Sequence, residues 1–257
     1  MNDSVNQDYV LGGICLVLFI AAQTFQEIAY RFWIPVSHSA QDELLTYLLP
    51  VDRIRAILIM GTIVVLIVPF VVITLRCFKV APMVSVLGLV FGVAFIGFEV
   101  SHRSMDFFVV GERWANQFAQ ANSSAEREAI LQRFGLWSEM VRGWYFPLML
   151  SYLLCSCSFA LATWKVKGRS RWYYLAPVAF AFNALRLVGR LLSNYAGQKW
   201  LDGLNDTFYF PAVLAINTLL VIWFFLLARH AAEQRITSGG AMAAFQSGSS
   251  SAGSNAK

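Results

Sequence analysis

Apolar residues fall into six long runs separated by short polar stretches. The runs cover residues 9–35, 54–76, 82–110, 143–165, 172–196 and 207–229. Each is long enough to cross about 30 Å of hydrocarbon at a rise of about 1.5 Å per helical residue. The pattern predicts an all-α fold, a polytopic integral membrane bundle of about six transmembrane helices. Between the first two runs Pro35, His38, Asp42, Glu43, Pro50 and Asp52 break the helix at both ends. The link from Arg76 to Pro82 is short enough to make runs two and three an antiparallel hairpin.

The longest connection, 111–142, has a pattern of its own. Asn122-Ser123-Ser124 offers N-cap chemistry ahead of Glu126 and Glu128, and Ala129, Ile130, Phe134 and Trp137 recur at helical spacing. This predicts one short amphipathic helix at the membrane surface, anchored by Trp114, Trp137, Trp144 and Tyr145. The chain therefore divides into a short N-terminal stretch (1–8), the bundle (9–229) and a Ser/Gly/Ala-rich tail (230–257) expected to be disordered. No internal repeat is visible, so an inverted-repeat transporter plan finds no support.

Polar residues inside the runs are not scattered. Near the end of the third run Glu99, His102, Arg103 and Asp106 stand at i, i+3, i+4 and i+7, on one helical face. An ionisable side chain costs roughly 2.5–3.5 kcal/mol at a membrane helix centre, so such a stripe is expected to face protein or water. The first run ends with Gln23, Gln26, Glu27, Tyr30 and Arg31 at similar spacings. The fifth carries Asn183, Arg186, Arg190 and Asn194, and the sixth opens with Asp206 and Tyr209 and places Asn217 at mid-depth. These stripes lie in the same half of the bilayer, which predicts one polar cavity among runs one, three, five and six, with runs two and four facing lipid.

Composition agrees. The chain is 58% hydrophobic and 14% charged, far from the roughly 25% charged of a soluble domain. A net charge of +5 comes from short basic clusters between apolar runs rather than a patch interleaved with stacking aromatics, so no nucleic-acid partner is expected. The partner is the lipid bilayer. Lys165, Lys167, Arg169 and Arg171 form a connection without acids, which the positive-inside rule places in the cytoplasm. Alternation then puts both termini inside, in the cytoplasmic (inner) membrane, with the cavity facing out. The first run is longer than a signal-peptide core, lacks a cleavage site, and is expected to be retained. The four cysteines, Cys15, Cys77, Cys155 and Cys157, lack paired spacing and read as buried small hydrophobes.

Several chemistries fit the stripes. Spare guanidinium forks at Arg186 and Arg190 suit a carboxylate, phosphate or sulfate, so a small anionic molecule or a lipid headgroup is the expected ligand, with Glu27, Tyr30, Arg31, Glu99, His102, Arg103, Asp106, Asn183, Arg186, Arg190, Asn194 and Asp206 as candidate contacts. An enzyme would use His102 as general base, oriented by Glu99 or Asp106, although no nucleophile elbow, Walker loop or zincin motif accompanies it. A proton-coupled transporter is a further alternative. Glu99-x-x-His102 is half of a di-iron bundle motif, but no second intramembrane histidine lies at that depth, so neither a metal nor another cofactor is expected. Against all of these stands mutual pairing, with Glu27, Glu99 and Asp106 neutralising Arg31, Arg103, Arg186 and Arg190 in a structural network.

The layout resembles bacterial six-helix inner-membrane proteins of unknown function. The features are the charged end of the third run (Phe98-Glu99-x-x-His102-Arg103-x-x-Asp106), a surface helix, Trp144-Tyr145-Phe146-Pro147-Leu148, and Asn183-Ala184-Leu185-Arg186-Leu187-Val188-Gly189-Arg190. It covers roughly residues 9–229 and implies architecture alone.

Overall fold

A backbone in hydrocarbon must satisfy its own hydrogen bonds, and here every element among the described residues is helical. The computed structural model describes the backbone of residues 3–166, 170–198 and 200–251, and the side chains of 6–166, 170–198, 203 and 207–234. The expected tail thus lies, beyond its first few residues, outside the described side chains. Three residues of the basic connection, 167–169, are likewise outside the described set.

The elements run in order as α1 (Asp3–Ile28) with a π-helical extension Ala29–Trp33, α2 (Ala40–Thr46), α3 (Pro50–Val65), α4 (Ile67–Cys77) and α5 (Pro82–Ser104). A π-helical stretch Met105–Ala115 carries α5 on into α6 (Asn116–Gln120); then come α7 (Ser124–Lys165), a 3-10 turn Arg171–Tyr174, α8 (Leu175–Tyr195) and α9 (Trp200–Ser251). Proline opens α3 and α5, where its missing N–H has no helical partner to lose. Among the described residues six stretches are long and apolar enough to cross a membrane: Asn6–Trp33, Pro50–Cys77, Pro82–Gln120, Ser124–Lys165, Arg171–Tyr195 and Thr207–Gln234. By length and composition this is a membrane protein.

The expected surface helix begins where its cap chemistry places it. Ser123 Oγ accepts from the Glu126 N–H at 3.2 Å, and the Glu126 carboxylate accepts from the Asn122 N–H at 3.1 Å. It does not end there. α7 continues for 42 residues, about 63 Å, or twice the hydrocarbon thickness, so its first half stands beyond the span as one arm of a protruding hairpin. The other arm is Met105–Gln120. Leu44, Val110, Ala115, Phe118, Ile130 and Phe134 bury one another there, with Tyr47 edge-on to Phe134. The apolar face that reads as membrane-bound is instead the core of a small cap built from α2, α6 and both arms.

The six spans close into a ring in chain order. α1 packs on α3 and α4, these on α5, α5 on α7, α7 on α8, α8 on α9, and α9 back on α1. At the end remote from the cap α4 also reaches across to α7 and pinches the ring. Aromatic side chains fill that end, with Phe159 within 5.6 Å of Phe70 and 5.4 Å of Phe180, centroid to centroid, and Trp223 and Phe224 buried beside them. Glycine makes this approach possible. A Cβ on Gly88 would lie 2.7 Å from the Phe159 ring, and one on Gly92 2.6 Å from Phe70. At the closing seam a Cβ on Gly12 would meet the Phe224 ring at 2.5 Å and one on Gly13 the Phe225 ring at 3.2 Å.

The expectation that runs two and four face lipid is corrected by this packing. α7 buries Cys155, Ser156, Phe159 and Ala162, and α3 and α4 bury Ile59, Ile63, Phe70 and Ile73. A helix without charges is not thereby a helix on the periphery, because apolar side chains fill a protein seam as readily as they meet lipid.

Candidate functional site

A cavity of about 130 Å³ lies inside the ring, in the half nearer the cap. Every span contributes. α1 supplies Phe19, Gln23 and Gln26; α3 Ile63; α5 Phe95, Glu99 and Arg103; α7 Tyr145, Leu148, Met149 and Tyr152; α8 Asn183, Arg186, Leu187 and Arg190; α9 Tyr209, Val213 and Asn217. The volume is about ten times what one water requires.

The charges are held in two different ways. Glu99 and Arg103, one turn apart on α5, form an ion pair at 3.0 Å. Arg186 is held by neutral groups. Its Nε and Nη2 donate to the Asn183 Oδ1 at 3.1 and 3.0 Å, Asn183 Nδ2 donates to Ser156 Oγ at 2.8 Å, and Ser156 donates to the Tyr152 carbonyl at 2.8 Å. The guanidinium carbons of Arg186 and Arg190 lie 5.1 and 5.3 Å from the centroid of the Tyr209 ring. Thus Arg186 is oriented by α7 and α9 without being neutralised by any ion pair among the described residues. Its positive charge faces the cavity.

The remaining expected contacts go elsewhere. Glu27 and Arg31 pair with each other at 2.5 Å on the outer surface, the Arg31 side chain 62% exposed, and neither lines the cavity. Tyr30 lies beneath the Arg55 guanidinium at 4.7 Å. Asn194 is exposed and outside the cavity lining, and the side chain of Asp206 is outside the described residues. His102, 4% exposed, is also absent from the lining: Nε2 faces the Asp106 carboxylate at 3.5 Å, and the ring lies parallel to Trp137 and edge-on to Tyr145. Asp106 accepts a 2.9 Å hydrogen bond from Trp137 Nε1. These two residues therefore join the span to the cap. The four-residue stripe splits, Glu99 and Arg103 turning to the cavity, His102 and Asp106 to the cap junction.

The sequence reading misses a second buried pair. Asp52 and Arg55, each 5% exposed, meet at 2.8 Å in the first turns of α3, and Arg55 also donates to Gln26 at 3.4 Å. The available signal is Asp-x-x-Arg directly after a helix-opening proline. Together with Tyr47, Arg53, Arg103 and Asp106 they line a much smaller pocket, about 10 Å³, between bundle and cap, where Arg53 also pairs with Glu112 at 2.6 Å. Burial, followed by the nearby Asp106 carboxylate, raises the Tyr47 phenol well above its usual range, so it stays a neutral hydroxyl. Arg103 is common to both pockets. Among the described residues no three His, Cys, Asp or Glu side chains gather as a metal ion would require.

Comparison with known proteins finds no matching family model, no similar curated protein and no similar solved structure.

Proposed function

We propose that this chain is a multi-pass protein of the cytoplasmic membrane, both ends inside, whose outward-opening cavity binds a small anion or anionic headgroup in a receptor, accessory or lipid-handling role. The observation that carries the reading is Arg186. A guanidinium inside a ring of membrane helices, aimed by a neutral amide and an aromatic face, offers an anion a charge that no carboxylate among the described residues consumes. The orientation is supported by the basic residues at 76, 79, 165 and 171, all at the end of the bundle remote from the cap, with Lys167 and Arg169 adding to the same connection in sequence.

The test is anion binding by purified protein, read by titration calorimetry and by native mass spectrometry after mild extraction. Inorganic phosphate, acetate, benzoate and lysophosphatidylglycerol serve as probes. Replacing a charge-assisted hydrogen bond of about 1.5–3 kcal/mol predicts a loss of roughly 10- to 100-fold in affinity for whichever probe binds, on Arg186→Gln. Binding that Arg186→Gln leaves unchanged, or no binding by folded wild-type protein, would sink the proposal.

A further inference from the structure

We infer that the ligand is a compact aromatic carboxylate, one ring carrying one carboxylate group, which enters along the bundle axis from the cap side. The inference rests on the anion-binding reading above and narrows it by size, wall chemistry and access. The cavity holds about 130 Å³, close to the roughly 150 Å³ of an engineered protein cavity that accommodates benzene. A diacyl headgroup with its glycerol is too large for it. A bare inorganic anion would leave most of its wall unpaired with anything it can recognise.

That wall is aromatic. The Phe95 and Tyr152 rings stack on each other at 4.1 Å with 13° between their planes and border the space as a pair, while Tyr145 and Phe19 also line it. Offset or edge contacts to such rings favour an aromatic body over an aliphatic one of equal size. The polarity is segregated to match. Arg186 approaches the α9 side at Tyr209, so a ring packed against the Phe95–Tyr152 pair would direct its carboxylate to the guanidinium edge that Asn183 does not occupy. Glu99, already bonded to Arg103, disfavours a second negative group and so selects a monoanion.

Access follows from the closed ring. Each span packs on its two neighbours, and aromatic side chains fill the far end, so lateral entry from lipid or passage from the far end would require parting helices. The end at Arg103, Tyr145 and Tyr209 is where the cavity approaches the cap, and Tyr209 is 40% exposed. A water-soluble monoanion can use that entrance.

The experiment is a competition between benzoate, acetate, inorganic phosphate and lysophosphatidylglycerol on the full chain in detergent. Burial of one ring predicts benzoate binding about 10- to 100-fold tighter than acetate or phosphate. Tyr152→Leu should weaken benzoate by about 2- to 10-fold and leave phosphate unchanged. Should Tyr152→Leu fail to fold, Leu148→Phe places bulk on the α7 wall between Tyr145 and Tyr152 while sparing the arginines, and should weaken benzoate binding far more than phosphate binding. If phosphate or the lysolipid binds more tightly than benzoate in an Arg186-dependent way, the aromatic carboxylate is refuted and the anion site stands. If none of the probes binds folded protein, the anion site itself falls.

Discussion

The Asp52–Arg55 and Glu27–Arg31 ion pairs near the cap end of the bundle should respond unequally to mutation. Asp52 and Arg55 are each 5% exposed, at 2.8 Å, with Arg55 further engaged by Gln26 and the Tyr30 ring. Asp52→Ala leaves a guanidinium in place with its carboxylate gone, a change that costs about 3–5 kcal/mol where the surviving charge is buried. The residual contacts to Gln26 and Tyr30 offset part of this, so about 3 kcal/mol is the expected loss. Glu27→Ala removes a pair of the same type at 2.5 Å, but its arginine is 62% exposed and regains solvent or headgroup contacts, which limits the loss to about 1 kcal/mol or less. Replacing both buried partners, Asp52→Leu with Arg55→Met, removes the stranded charge and should recover most of the loss. Unfolding in mild detergent, followed as the fraction of monodisperse protein surviving a temperature series, ranks the four proteins. Equal destabilisation by Asp52→Ala and Glu27→Ala, or a double variant no better than Asp52→Ala, would refute the assignment of burial as the deciding variable.

Other substitutions probe packing and the cap. Gly88→Ala and Gly92→Ala should sharply lower folded yield, because their new Cβ atoms would lie 2.7 and 2.6 Å from aromatic rings already locked in the core, whereas Gly97→Ala meets nothing within 4 Å and should raise thermal stability slightly. Trp137→Phe removes the hydrogen bond to Asp106 and should loosen the cap by about 1.5–3 kcal/mol, seen as faster amide exchange over residues 124–142 with the spans unaffected.

The six spans were legible because run length and charge depletion are properties of each segment alone. What the sequence could not supply was rotation. The Gln23–Arg31 stripe and the Asn183–Asn194 stripe each read as one polar face, yet the structure turns Gln23 and Gln26 inward while Glu27 and Arg31 satisfy each other outside, and it keeps Asn183, Arg186 and Arg190 at the cavity while Asn194 stays exposed. An i,i+4 ion pair satisfies itself, so its presence does not say which way the helix faces. The continuity of α7 was hidden for a related reason. Its polar first half looks like a connection, and only the complementary surface of α2 and the extended α5 arm explains why it stays helical so far from the span. Tyr145 reads as an interfacial anchor and Tyr152 gives no signal at all, because an aromatic residue on an apolar run carries no sign of whether it meets lipid or a cavity.

The ring order also bears on how such a protein is made. Each span after the first packs on the one synthesised just before it, so the spans can dock successively as they leave the translocation machinery. One seam breaks that rule. α1 must wait for α9, and the Gly12 and Gly13 notches that receive Phe224 and Phe225 stay empty until the final span arrives. Until then Glu99 and Arg186 line an open trough instead of an enclosed chamber, and a chain stalled before α9 would present those charges to lipid. Seam closure is therefore the step at which a membrane protease or chaperone could tell a finished molecule from an unfinished one.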